Sequence, residues 1–138
     1  MRHVRWLPIL LVPLLAACVD DRAAYRQDDE QVFTLIREQP QPWSPKVKLA
    51  LVVSRMPECS RRHVLGEGTA QTRVDLWQYR PDTYVIQVGE RRYATETRTC
   101  EGWEKLTAEP PGGMGVPLGG FVEKDGKLRF VPAKPAGS

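Results

Sequence analysis

Residues 74–97 read Val74-Asp75-Leu76-Trp77-Gln78-Tyr79-Arg80-Pro81-Asp82-Thr83-Tyr84-Val85-Ile86-Gln87-Val88-Gly89-Glu90-Arg91-Arg92-Tyr93-Ala94-Thr95-Glu96-Thr97, and the pattern has a period of two. Val74 and Leu76 alternate with Asp75, Trp77 and Tyr79; Tyr84, Ile86 and Val88 share one face; Tyr93, Thr95 and Thr97 lead a third run toward Cys100. Such alternation marks half-buried strands, and Pro81-Asp82-Thr83 and Gly89-Glu90 are turn signals. Turns this short make the strands antiparallel neighbours, because a parallel pair needs a crossover of roughly a dozen residues or more. The chain is therefore mainly β.

Upstream, Val47, Leu49, Leu51 and Val53 alternate with Lys48, Ala50, Val52 and Ser54. A second face that is also small or apolar predicts a central strand. Residues 56–67 read as irregular. Downstream, residues 109–120 hold three prolines and five glycines and read as a long loop. Two apolar runs, 121–124 and 127–131, flank Asp125-Gly126, a strong hairpin signal because the favoured turn needs positive φ at both central positions.

On the N-terminal side, Asp28-Asp29-Glu30 precedes Val32, Leu35 and Ile36 at helical spacing, with Arg37 near the end and Pro40 as a stop. Acids first and a cation last suit a helix dipole. A short helix is expected over 28–38, with a strand over 31–36 as the alternative. Residues 39–45 alternate prolines and should be extended; Trp43 within them is expected to pack back onto the domain edge. Residues 19–27 read as a flexible tether and 132–138 as a disordered tail. The expected fold is a small antiparallel meander or barrel of about six strands, confined to 47–131, with a short N-terminal helix. Barrel and open sheet stay equally open, and no internal repeat is present.

The N-terminus carries the most specific motif. Arg2 and Arg5 precede an apolar run over residues 6–15, interrupted by Pro8 and Pro13. Ten helical residues span about 15 Å, against roughly 30 Å for a bilayer core. The proportions are those of a secretory signal peptide. Leu15-Ala16-Ala17-Cys18 then resembles the lipobox of bacterial lipoproteins. That resemblance implies diacylglycerol on the Cys18 thiol, removal of residues 1–17, and usually acylation of the new amino group. Several acyl chains make a stable anchor, where one alone is marginal. An aspartate directly after the cysteine often signals inner-membrane retention in that class; Val19 stands there, so the resemblance implies the outer membrane, facing the periplasm.

With that leader gone, 121 residues remain, and loss of Arg2 and Arg5 leaves 18 basic residues against 17 acidic. A near-neutral chain in this compartment is a poor nucleic-acid binder. One small domain fits the length, and a core this small benefits from a covalent staple. With Cys18 assigned to lipid, Cys59 and Cys100 are an even pair in an oxidising compartment, and a disulfide between them is expected. Their spacing is not that of a C-x-x-C redox or metal site.

No catalytic set stands out. His63 is the single histidine after residue 17 and follows Arg61 and Arg62, as a surface or edge residue would. Ser60 lies three residues before it, without a nucleophile-elbow motif. Glu101 and Glu104 flank Trp103, which is expected to pack over the disulfide. No metal or cofactor is expected. Two arginine pairs, Arg61-Arg62 and Arg91-Arg92, with Arg73 and Arg98 near them in sequence, would form a candidate anion-binding site for lipopolysaccharide phosphates or cell-wall carboxylates if they converge. The leading expectation is a non-enzymatic envelope lipoprotein acting as a binding or assembly accessory, its partners being the membrane, through the acyl chains, and an envelope protein or anionic cell-wall component. A second is a periplasmic enzyme inhibitor, since residues 89–103 are similar in texture to segments of small β-barrel lipoproteins that block lysozyme, though their motif is not matched. A third, weaker one is a cell-wall hydrolase.

Overall fold

The computed structural model describes residues 20–134, which build ten antiparallel strands in two sheets packed around one core. In chain order these are β1 (Asp20–Arg26), β2 (Gln31–Glu38), β3 (Val47–Arg55), β4 (Cys59–Gly68), β5 (Val74–Arg80), β6 (Thr83–Val88), β7 (Arg91–Glu96), β8 (Trp103–Leu106), β9 (Val116–Lys124) and β10 (Lys127–Pro132). The first sheet runs β1-β2-β3-β4 and the second β10-β9-β5-β6-β7-β8. The three strands of the 74–97 stretch stand as neighbours β5, β6 and β7. The Asp125-Gly126 hairpin forms with Lys124 opposite Lys127 and with φ of 53° and 80° at the turn, as its sequence demands.

The helix expected over 28–38 is instead strand β2. Gln31, Phe33, Leu35 and Arg37 are buried while Val32, Thr34, Ile36 and Glu38 lie half-exposed, a strict period of two. Two polar residues on the inward face hide that alternation, and Val32, Leu35 and Ile36 match helical spacing by coincidence. The tether over 19–27 is largely β1, whose inward positions are Asp21, Ala23 and Tyr25 and so carry little apolar signal. Among the described residues the β domain therefore includes β1 and β2, well ahead of the Val47 start expected for it. Residues 59–68 are ordered as β4 rather than irregular. The glycine-rich loop gives way to β9 at Val116: Gly119 has φ of 141°, and a Cβ there would meet the Val131 carbonyl of β10 at 2.3 Å, so glycine lets the strands close up. The leader, Cys18 and residues 135–138 of the expected tail lie outside the described residues.

The core joins both sheets. Phe33, Leu35, Leu51 and Val53 of the first pack with Val74, Tyr84, Ile86 and Phe121 of the second, all with no more than 1% exposure. Phe33 meets Tyr84 edge-on at 4.5 Å.

Each lateral seam is closed by a specific device. At the β1–β10 seam, Arg37 is 1% exposed and grips Asp21 with two hydrogen bonds of 2.8 Å. The Leu128 amide of β10 donates to the same carboxylate at 2.9 Å, and Arg37 also donates to the Ala70 carbonyl. Tyr25 of β1 stacks on Phe130 of β10 at 4.3 Å. Burial opposes ionisation of Asp21, but the Arg37 hydrogen bonds, the Leu128 amide and the Arg37 charge outweigh it and lower its pKa. At the opposite seam, the expected Cys59–Cys100 disulfide is formed, and Tyr93 and Arg91 donate to the Leu65 and Glu67 carbonyls of β4.

One end of the core is plugged by a polar network. The Tyr84 and Thr97 hydroxyls donate to Gln31 Oε1 at 2.7 and 2.6 Å, and Gln31 Nε2 donates to Asp28. Arg55 reaches Asp82 and the Thr97 carbonyl nearby. Burial, aided by the Asp28 and Asp82 charges, pushes the Tyr84 phenol up to about 12. Removing only the Tyr84 hydroxyl, as Phe, should cost about 1 kcal/mol, whereas Gln31→Leu strands two buried hydroxyls and should cost about 2–3 kcal/mol. Chemical denaturation of the two variants checks the order; a costlier Tyr84→Phe would overturn this reading of the network.

Candidate functional site

His63 sits on the inward face of β4, because Cys59, His63 and Leu65 share one parity of that strand and Ser60, Arg62 and Val64 the other. It is 8% exposed, a correction to the surface or edge position expected for it. Its Nε2 lies 2.7 Å from the Cys100 carbonyl, and since a carbonyl only accepts, His63 is the donor. The ring lies parallel to Trp103 at 4.5 Å, and Trp103 in turn stacks on Tyr93 at 5.0 Å. Trp103 thus packs on His63 and Tyr93 beside the disulfide. This buried stack supports the seam and consumes the imidazole. Ser60 points to the other face and bonds Ser54 at 2.8 Å, so the two are not a nucleophile and base.

Next to Trp103, Thr83, Thr95, Glu96, Gly102 and Glu104 line a shallow depression of about 230 Å³. Glu96 is bound within its own loop: the Thr99 hydroxyl and the amides of Thr99 and Gly102 all donate to it. Burial opposes its charge, but these donors win and hold its pKa at about 2 rather than 4.5. A carboxylate held ionised this way organises the disulfide loop and is a poor proton donor. The folded pKa is depressed, so the stabilisation is complete above pH 4.5 and fades as pH falls toward 2. Glu96→Gln should therefore flatten the acid limb of the stability curve, measured by thermal unfolding between neutral pH and pH 2; an unchanged limb would contradict the assignment.

The four arginines of the candidate anion site do not converge as a free cationic cluster. Arg61 and Arg62 are neighbours on one strand and face opposite ways. Arg61 pairs with Glu101 at 3.4 Å and Arg62 with Glu38 at 3.8 Å. Arg91 crosses Gly66 to donate to Glu67, and Arg92 Nε is buried without a hydrogen-bond partner. Arg73 pairs with Asp75 at 2.6 Å. Exposed pairs of this kind contribute about 0–1 kcal/mol, so Arg62→Ala should leave the unfolding midpoint nearly unchanged.

Two surface features escape a sequence reading. Where β3 and β4 slip register between Leu49 and Ala50, a concavity of about 450 Å³ opens on the outer face, lined by Glu38, Lys48, Ala50, Arg62, Val64 and Glu67. Val64 at its rim is 70% exposed. The alternation within β4 sets Val64 outward, opposite the buried His63 and Leu65. The second feature is Trp43. It is 80% exposed, a correction to the packed position expected of it. The Ser44 amide donates to the Gln41 carbonyl at 3.1 Å, closing a four-residue turn with Pro42 and Trp43 at its tip. Gln39 Nε2 donates to the Ser44 carbonyl at 2.6 Å and braces the turn from inside. A tight turn thus replaces the extended segment expected over 39–45. Among the described residues no group of three or more His, Cys, Asp or Glu is placed to hold a metal ion. Compared with known protein families, curated proteins and solved structures, the chain matches none.

Proposed function

We propose that this chain is a bacterial envelope lipoprotein. Cys18 is acylated and holds the domain on the periplasmic face of a membrane, the outer one by the residue that follows it. The domain acts there by binding, as a non-enzymatic accessory to an envelope protein or an anionic cell-wall component. The observation that carries the reading is the fate of the three cysteines. Cys59 and Cys100 are consumed by each other, which leaves Cys18, in a lipobox-like context and two residues ahead of β1, as the third. A β domain stapled by a disulfide suits an oxidising compartment. The buried, hydrogen-bonded His63 and the loop-bound Glu96 serve structure, which favours binding over acid–base catalysis.

Fractionation of cells expressing the full chain or its Cys18→Ser variant tests the anchor. The wild-type protein should follow the membranes and the variant should not. Cross-linked pulldown of the membrane form should recover a reproducible partner in place of many weak ones. Identical distribution of the two proteins between membrane and soluble fractions would overturn the anchor.

A further inference from the structure

We infer that the turn over residues 39–46 is a membrane-surface contact, with Trp43 seated among the lipid headgroups. The inference rests on the anchor at Cys18 proposed above and adds an orientation to it. Register places the turn. Asp20 pairs with Glu38, and Glu38 with Lys48, so β1 starts and the β2–β3 turn leaves at the same end of the first sheet. Adjacent strands lie about 5 Å apart, and the two residues from Cys18 to Asp20 reach at most about 7 Å. An acyl anchor at Cys18 therefore holds this end of the domain within a side chain's length of the bilayer.

The turn is built for that position. Trp43 is the most exposed large hydrophobic residue of the described chain, and the Pro42 turn with its Gln39 brace holds it outward. Tryptophan prefers the membrane–water interface, where its ring is apolar and its N–H stays wet. Residues 39–46 contain no acid, and Lys46 follows the turn, with Lys48 just beyond; lysines beside a membrane suit anionic headgroups. The same end of the domain also carries Glu67, Glu90 and Asp125, so the exposed Trp43 ring, and not net charge, carries the contact.

The test uses the mature acylated protein in vesicles of phosphatidylethanolamine and phosphatidylglycerol, with ordinary or brominated acyl chains. Trp77 and Trp103 also emit, so Trp43 is read as the difference between wild type and Trp43→Phe. Both should float with the vesicles and unfold at the same temperature, since Trp43 makes little packing contact. The Trp43 difference emission should be blue-shifted and mostly lost to brominated lipid. Flotation with an unquenched, water-like Trp43 signal would overturn the inference and leave the anchor standing. Failure to float would overturn the anchor and the inference with it.

Discussion

Asp21→Ala should cost about 3–5 kcal/mol of folding stability, the penalty for leaving a buried charge without its partner. Arg37 is 1% exposed and would lose both hydrogen bonds to the carboxylate, keeping only the Ala70 carbonyl. The Leu128 amide would lose its acceptor in the same step, so the cost falls on the seam that joins the two sheets. Asp21→Asn keeps an acceptor without the charge and should fall between. Combining Asp21→Ala with Arg37→Met removes the orphaned charge, and the double variant should be destabilised by less than the sum of the two single changes. Denaturant unfolding of the four proteins completes the cycle. Strict additivity would show that Arg37 does not depend on Asp21. Acid reports on the same pair: Asp21's pKa is lowered, so its contribution is present at neutral pH and lost as pH falls through its folded pKa, below 3.8.

Replacing Cys59 and Cys100 together with Ser should cost about 4 kcal/mol. Their separation of 41 residues sets the loop-closure entropy that the bond removes from the unfolded chain. The whole stability of a domain this size is typically about 5–15 kcal/mol, so the loss should take about a quarter or more of it and lower the unfolding temperature markedly. Reductant should produce the same shift in the wild type and none in the variant. A loss below about 1 kcal/mol would mean that the β4 seam is held by the His63–Trp103–Tyr93 stack and the Tyr93 and Arg91 hydrogen bonds to β4 rather than by the bond.

The strands legible in the sequence are those whose inward positions are uniformly apolar. Tyr84, Ile86 and Val88 in β6, or Leu49, Leu51 and Val53 in β3, state their period without ambiguity. β1, β2 and β4 are obscured because their inward positions carry Asp21, Gln31, Arg37 and His63. Each of those residues is satisfied by a partner far away in sequence: Arg37 by an aspartate 16 residues off, Gln31 by a hydroxyl 66 residues off, His63 by a carbonyl 37 residues off. A local pattern cannot register a partner supplied by the fold. The first half of β9, residues 116–120, is hidden for another reason: glycines that usually mark a loop here allow close approach to β10. The disulfide was legible from cysteine counting, but the dispersal of the arginines was not, since adjacent arginines on a strand separate only once the strand is known.

The most direct measurement is the intact mass of the protein extracted from membranes, taken with and without reductant. The expected result is a chain beginning at Cys18 that carries the mass of its acyl groups and gains only two hydrogens on reduction. A chain that retains residues 1–17 with an unmodified Cys18 would contradict it.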